Sequence, residues 1–170
     1  MFRIDRPLER SATFDVTGQY RYCLGRRWDS RQPCLTWVML NPSQADHRQE
    51  DPTLRRCLGL TQAWGYGALT VVNLFAYCSS QPRDLKRVAD PIGPENDRYL
   101  LAACADVPTI VLAWGNGGNL HGRDRAVLAL LARDRDRCHC LGRNQTGQPR
   151  HPLYVKRQAQ LCPWPGETMA

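Results

Sequence analysis

The run ALTVVNLFAY, positions 68–77, decides the fold: it is apolar, rich in β-branched and aromatic side chains and too short for a buried helix, so it predicts a strand covered on both faces. Two runs of the same kind flank it, LTWVML at 35–40 and TIVLAW at 109–114, and RCHCLG at 137–142 reads as a fourth, shorter strand. The segments between them have helical spacing. After the loop SQADHRQE, Asp51 is placed to cap a helix whose first residue is Pro52, and Leu54, Cys57, Leu58 and Thr61 recur on one face until Gly65. Gly93-Pro94 opens a second helix through Leu100, Leu101 and Cys104, and a third covers approximately Arg123 to Arg133. Alternation of strand and helix predicts an α/β domain of three layers, αβα, around a central, mainly parallel sheet of about four strands. FDVTGQYRYCL, around Gly18, adds an N-terminal β-hairpin.

No internal repeat, low-complexity tract or long linker divides the 170 residues, so residues 1–170 read as one domain, with about 156–170 a tail onto which Trp164 packs back. No apolar run approaches the ~20 residues that span a bilayer, and MFRIDRPLERS has no apolar stretch behind its charges, so the expected location is the cytoplasm. The formal net charge of +7 is carried almost wholly by arginine, with Lys86 and Lys156 the only lysines. Such a surplus suits a polyanion such as DNA, because arginine grips phosphate bidentately; genomic base composition accounts for it equally well.

Eight cysteines are scattered without a C-x-x-C pair and read as buried thiols. Cys138-His139-Cys140 is their one tight cluster, but strand alternation sends His139 to the face opposite the two thiols. Asp46, His47, Asp51 and His121 match no known ligand spacing, and Asp51 is accounted for as a helix cap. No metal and no cofactor is expected.

In an open α/β sheet, ligands bind beyond the carboxyl ends of the strands. Those ends carry Asn41-Pro42-Ser43, Asn73 with Phe75 and Tyr77, Trp114-Gly115-Asn116, and His151-Pro152. Asn41-Pro42 is also a common strand exit and turn. Asn73 interrupts an apolar strand, where an unpaired amide costs about 1–3 kcal/mol, so it ties down a neighbouring loop or offers a donor and an acceptor to a flat heterocycle. His151 lies in an extended loop. Together, two amides and an imidazole suit recognition of a nucleobase. The GNGG segment, with Gly115 and Asn116, can bring backbone N–H groups to a phosphate, although it lacks the P-loop and dinucleotide signatures. Arg55 and Arg56, near the start of the first helix, are placed to neutralise phosphates.

The motifs MLNPSQAD, DPTLRRC, VVNLFAY, DPIGPEND, LAWG and GQPRHPLYV resemble, in order and over most of the chain, a family of small bacterial and phage proteins known only as a domain of unknown function. More distantly, the chain is similar to the uracil-DNA glycosylase superfamily, in particular to the Asn-Pro form of the mismatch-specific branch. That resemblance implies a uracil-DNA-glycosylase-like fold. It maps a water-positioning asparagine onto Asn41, with Pro42 and Ser43 beside the base, and a base-reading asparagine onto Asn73. It also maps the histidine that stabilises the leaving base onto His151, and the wedge that replaces the flipped nucleotide onto Leu153 or Tyr154. Phe75, Tyr77 and Trp64 are the candidates for the aromatic that stacks on the base. Ser43 departs from the glycine or tyrosine of the family pattern, and HPLY lacks its Ser-Pro.

The function so implied is excision of a damaged, mismatched or modified base from DNA by N-glycosidic hydrolysis. Two alternatives remain at this stage: a nucleic-acid or modified-base binding protein that cleaves nothing, and a hydrolase of free nucleosides or nucleotides.

Overall fold

Asp51 does what its position before Pro52 predicts. In the computed structural model, which describes residues 8–43 and 48–165, its Oδ1 accepts the Leu54 N–H at 2.7 Å and starts helix α1, Pro52–Ala63. Each apolar run becomes a strand: β3 is Cys34–Met39, β4 is Ala68–Asn73, β5 is Ile110–Leu112 and β6 is Cys138–Cys140. Ahead of them lie β1, Glu9–Phe14, and β2, Arg21–Arg27, and near the carboxyl end a short β7, Cys162–Pro163. Two further helices are α2, Asn96–Ala105, and α3, Arg123–Leu130. The third helix is shorter than expected and passes into a 3₁₀ segment, Ala132–Arg137.

The chain is a mixed α/β protein with a sheet of seven strands in the order β1-β2-β4-β3-β5-β6-β7. The expectation of about four, mainly parallel strands describes its middle: β4, β3, β5 and β6 are parallel neighbours. The hairpin is not an appendage, because β2 pairs antiparallel with β4 from Leu24↔Val71 to Arg27↔Ala68. Leu24, on β2, thereby enters the core with Leu69 and Val71. The described part of the segment expected as a tail, 156–165, is likewise built in, and 166–170 lie outside the described residues. Val155, Ala159 and Leu161 pack on the core, the Trp64 indole N–H donates to Ala159 O at 3.0 Å, and β7 pairs antiparallel with β6.

Period-2 alternation divides the sheet's side chains between two cores. Leu35, Trp37, Met39, Leu69 and Val71 meet Leu54, Cys57 and Leu60 of α1. Val38, Val72, Ile110 and Leu112 meet Leu100 and Cys104 of α2 and Val127 of α3. In the first of these cores Trp37 Nε1 donates to Thr61 Oγ1 at 3.0 Å, and that hydroxyl donates to Cys57 O at 2.7 Å. No helix of the described residues is long and apolar enough to cross a membrane.

At the carboxyl end of β4 the backbone leaves the sheet inside the protein, so its carbonyls need donors from elsewhere. Asn96, fully buried on α2, donates through Nδ2 to Asn73 O at 2.9 Å and Leu74 O at 3.1 Å. Arg123, on α3, donates through Nε to Leu74 O at 2.7 Å while its guanidinium pairs with Asp97. We expect Asn96→Ala to lower unfolding stability by about 1–3 kcal/mol, the cost of orphaning buried acceptors, measured by urea denaturation. A loss below about 0.5 kcal/mol, the range of ordinary surface changes, would show that this anchor is dispensable.

Candidate functional site

The α1-facing core ends at the carboxyl ends of β3 and β4, where a cavity of about 260 Å³ opens between these strands, the start of α1 and the His151 turn. Its inner wall is apolar, from Leu24, Met39, Leu54, Cys57 and Val71. Polar groups sit toward the loops: Asn41, Ser43, Asp51, Asn73, Ser79 and His151, with Arg21 on one side and Tyr154 at the mouth. Asn41, Asn73 and His151, far apart in sequence, therefore face one space.

Asn73 follows Leu69 and Val71 on the same face of β4, and at its position the apolar core gives way to the cavity. The residue is 1% exposed, and its Nδ2 has no hydrogen-bond partner among the described residues. A buried amide donor thus faces the cavity.

Asn41 lies in a loop tied to the strand beside it. The parallel pairing continues past the strand ends through Phe75 N–H to Leu40 O at 3.0 Å and Ser79 N–H to Pro42 O at 3.0 Å. Both amide protons of Asn41 are engaged, by Pro42 O at 3.1 Å and Ser79 O at 2.9 Å. The group it has left to offer is the acceptor Oδ1.

His151 begins a 3₁₀ turn, Pro152–Tyr154, and its Nδ1 accepts the Leu153 N–H at 3.2 Å. A neutral imidazole that accepts at Nδ1 carries its proton on Nε2, so it presents a donor. Burial pushes the imidazole pKa down, opposed by the charge of Asp51. Gly115 supports this turn from behind. Its φ of 74° with ψ of −165° belongs to glycine, its N–H donates to Pro149 O at 2.9 Å, and a Cβ there would stand 3.6 Å from that of His151.

Asp51 serves twice. Oδ1 caps α1 while Oδ2 accepts the Ser43 hydroxyl in a short hydrogen bond, and both residues line the cavity. A residue read from sequence as a cap is therefore also the cavity's carboxylate. Arg21, which sequence reading passed over, is 4% exposed on the cavity wall. Burial depresses its pKa, and Cys78 and Asp51 oppose the shift. Its signal was available: like Asn73, it is a polar residue inside a strand, YRYCL.

The remaining candidates lie elsewhere. Phe75 is fully buried in the opposite core, Tyr77 stands edge-on to Tyr20 at 6.0 Å between ring centres, and Trp64 stacks on Trp37 at 5.7 Å. None of the three lines the cavity, and the aromatic that does is Tyr154, 82% exposed. Leu153, 41% exposed, flanks it on the same turn. Pro42 is buried beneath the loop, and Arg55 is exposed on α1 with Arg56 half-buried next to it. Asn116 is exposed and outside the cavity, its Oδ1 accepting from Asn144 and Thr146. The neighbouring Gly118 makes room for an indole, since a Cβ would fall 2.2 Å from the Trp114 ring. Among the described residues no three His, Cys, Asp or Glu side chains gather as a metal set; Asp46 and His47 lie outside the described residues.

The lowered pKa of His151 has a fixed sign in solution. Its unfolded form takes up a proton near pH 6.5, but the folded form does so only at lower pH, so stability falls as pH drops below about 6.5 and continues to fall to the folded-state value. The ring proton resonances of His151 should titrate at lower pH than those of a free histidine. A midpoint at or above about 6.5 would show that the imidazole is not desolvated.

No curated protein and no solved structure matches the chain. The family described as Protein of unknown function (DUF1643) matches residues 21–153, a segment that begins at Arg21 and ends two residues after His151. It holds every described residue lining the cavity except Tyr154, and on this match over most of its length the chain belongs to that family.

Proposed function

We propose that this protein is a DNA glycosylase-like hydrolase: it accepts a base flipped from DNA into the Asn41–Asn73–His151 cavity and hydrolyses its N-glycosidic bond. One observation carries the reading. Three residues that resemble the working set of uracil-DNA glycosylases converge on one small cavity, and each keeps in reserve the group its role requires: an acceptor on Asn41, a buried donor on Asn73 and a neutral imidazole N–H on His151. A space of about 260 Å³ falls just under the range of about 300–1,000 Å³ usual for larger ligands, which suits a single base.

The chemistry follows from those groups. Breaking the bond between the base nitrogen and C1′ leaves positive character on the sugar and negative charge on the base. His151 donates to the departing base as that charge develops, a contribution of about 2–4 kcal/mol if it matches a typical oxyanion donor. Asn41 Oδ1 accepts a proton of the attacking water and orients its oxygen toward C1′. An amide cannot take the proton away, but the Asp51 carboxylate lines the same cavity and can. Tyr154 and Leu153, both exposed at the mouth, fit the wedge that fills the vacated stack. The arginine surplus, with Arg55 exposed on α1, fits the DNA backbone.

The test is a panel of duplex oligonucleotides bearing single modified or mismatched bases, incubated with the protein and treated with alkali to break abasic sites. Cleavage at one or more of them is expected. Against that substrate Asn41→Ala and His151→Ala should each slow single-turnover cleavage by about 10²-fold or more with little change in DNA affinity, and Asn73→Ala should weaken discrimination between bases. Unchanged rates in folded Asn41→Ala and His151→Ala would defeat the mechanism. Binding without cleavage of any base would turn the assignment to a non-catalytic base reader.

Asp51 allows a cleaner substitution, because asparagine caps a helix as well as aspartate. Asp51→Asn should keep α1 and the melting temperature but slow cleavage, whereas Asp51→Ala should also lose about 1 kcal/mol of stability. Full activity in Asp51→Asn would remove the carboxylate from the chemistry. DNA affinity of the wild type should fall steeply with rising salt, and insensitivity to salt would speak for a small-molecule substrate.

A further inference from the structure

The short strand β7 places two thiols opposite each other. Cys140 of β6 and Cys162 of β7 are paired in the antiparallel register, so their side chains leave the same face. The Trp164 N–H donates to Cys138 O at 3.0 Å, one hydrogen-bonded pair along. Cys140 and Cys162 therefore occupy the hydrogen-bonded kind of antiparallel site, whose Cα atoms stand about 5.5 Å apart. That separation lies within the range for disulfides, about 4.4–6.8 Å; the Cβ atoms of such a pair start about 5.5 Å apart, against about 3.5–4.5 Å in a bridge, so closure draws the short β7 about 1–2 Å toward β6. Both cysteines are free thiols, Cys140 buried and Cys162 exposed.

We propose that Cys140 and Cys162 form a reversible disulfide that staples β7 to β6 and closes residues 140–162 into a ring carrying the His151 turn. Exposure makes Cys162 the entry point for a low-molecular-weight disulfide. Its thiolate attacks one sulfur of the oxidant, giving a mixed disulfide and releasing one small thiol. Cys140 then attacks the Cys162 sulfur, forming the internal bond and expelling the second small thiol. Two protein thiols are oxidised, one small disulfide is reduced to two thiols, and the protons end on those thiols. The bridge would add a covalent hold to a segment kept in place by the packing of Val155, Ala159, Leu161 and Trp164 and by hydrogen bonds such as Trp64 Nε1 to Ala159 O. Within that segment His151 and Tyr154 line the cavity, so the staple fixes one wall of the site whatever ligand enters it.

The test uses the full chain treated with oxidised glutathione, quenched with a thiol-blocking reagent and compared with its reduced form. The expected result is a mass decrease of two hydrogens and a tryptic digest in which 138–143 and 158–170 remain joined until reduction. A Cys138→Ser variant that still cross-links assigns the bond to Cys140. Trypsin cutting after the exposed Lys156 or Arg157 should leave two fragments that separate on a gel only after reduction. Oxidation should raise the melting temperature by about 5–10 °C, as expected for a closed loop of this length in a domain of this size. Cys162→Ser, at an exposed site, should fold, melt like the reduced wild type and lose every one of these effects. A wild-type chain that takes up glutathione without forming the internal bond would overturn the proposal. So would a bond to another cysteine, or cross-linking that persists in Cys162→Ser.

Discussion

The site depends on how β4 leaves the sheet. The carbonyls of Asn73 and Leu74 lie in the interior, at and just past the last residue that β4 pairs with β3, and need donors from other elements. Here α2 and α3 supply the donors: Asn96 spans Asn73 O and Leu74 O, and Arg123 reaches Leu74 O with its charge held by Asp97. With its main chain satisfied from the far side of the sheet, Asn73 is free to turn its amide to the near side. Two helices that never touch the cavity thus determine where its deepest polar group stands.

On the near side the same economy recurs in Asp51. The first turn of α1 needs an acceptor for its free N–H groups, and the loop ahead of it needs a partner for Ser43. One carboxylate meets both demands, which fixes the start of α1 against the loop that carries Asn41. Asn41 in turn spends its donors on Pro42 O and Ser79 O, so the loops after β3 and β4 are held at one spacing. The cavity is lined by side chains that also build its frame, and it is therefore largely formed before any ligand arrives.

How much of this was legible follows from the range of each interaction. β3, β4 and β5 announce themselves as apolar runs because both faces are buried, and α1 announces itself through Asp51, Pro52 and the spacing of Leu54, Cys57 and Thr61. The rule that sites form at the carboxyl ends of parallel strands then brings Asn41, Asn73 and His151 together without knowledge of any contact. Pairing of β2 with β4 and of β7 with β6 is long-range and antiparallel, and a two-residue strand such as Cys162–Pro163 has no periodicity to read. Phe75, one of the candidates for the aromatic that stacks on the base, lies two residues after Asn73, where continued strand alternation would put it on the same face. Yet β4 ends at Asn73 and the turning backbone carries Phe75 into the opposite core. Arg21 and Asp51 were hidden for another reason: each already had a plausible structural explanation, as strand or cap, and nothing in a sequence says that one side chain performs two tasks.

The polar inventory of the cavity also constrains what can enter it. Asn73 Nδ2, on a residue 1% exposed and without a partner among the described residues, favours a ligand that offers an acceptor, because leaving such a donor unpaired costs about 1–3 kcal/mol. His151 adds a second, uncharged donor, while the charged groups on the wall are the Arg21 guanidinium and the Asp51 carboxylate. In the proposed reading, a base that placed an amino group against Asn73 Nδ2 would set donor against donor and leave the penalty in place. One that placed a carbonyl oxygen there would remove it. Discrimination of this kind comes from the wrong ligand leaving a buried group unpaired more than from the right ligand binding tightly, and it can exceed what fit to an apolar pocket achieves by orders of magnitude. The apolar wall of Leu24, Met39, Leu54, Cys57 and Val71 strengthens the effect, since these side chains offer Asn73 no good alternative acceptor.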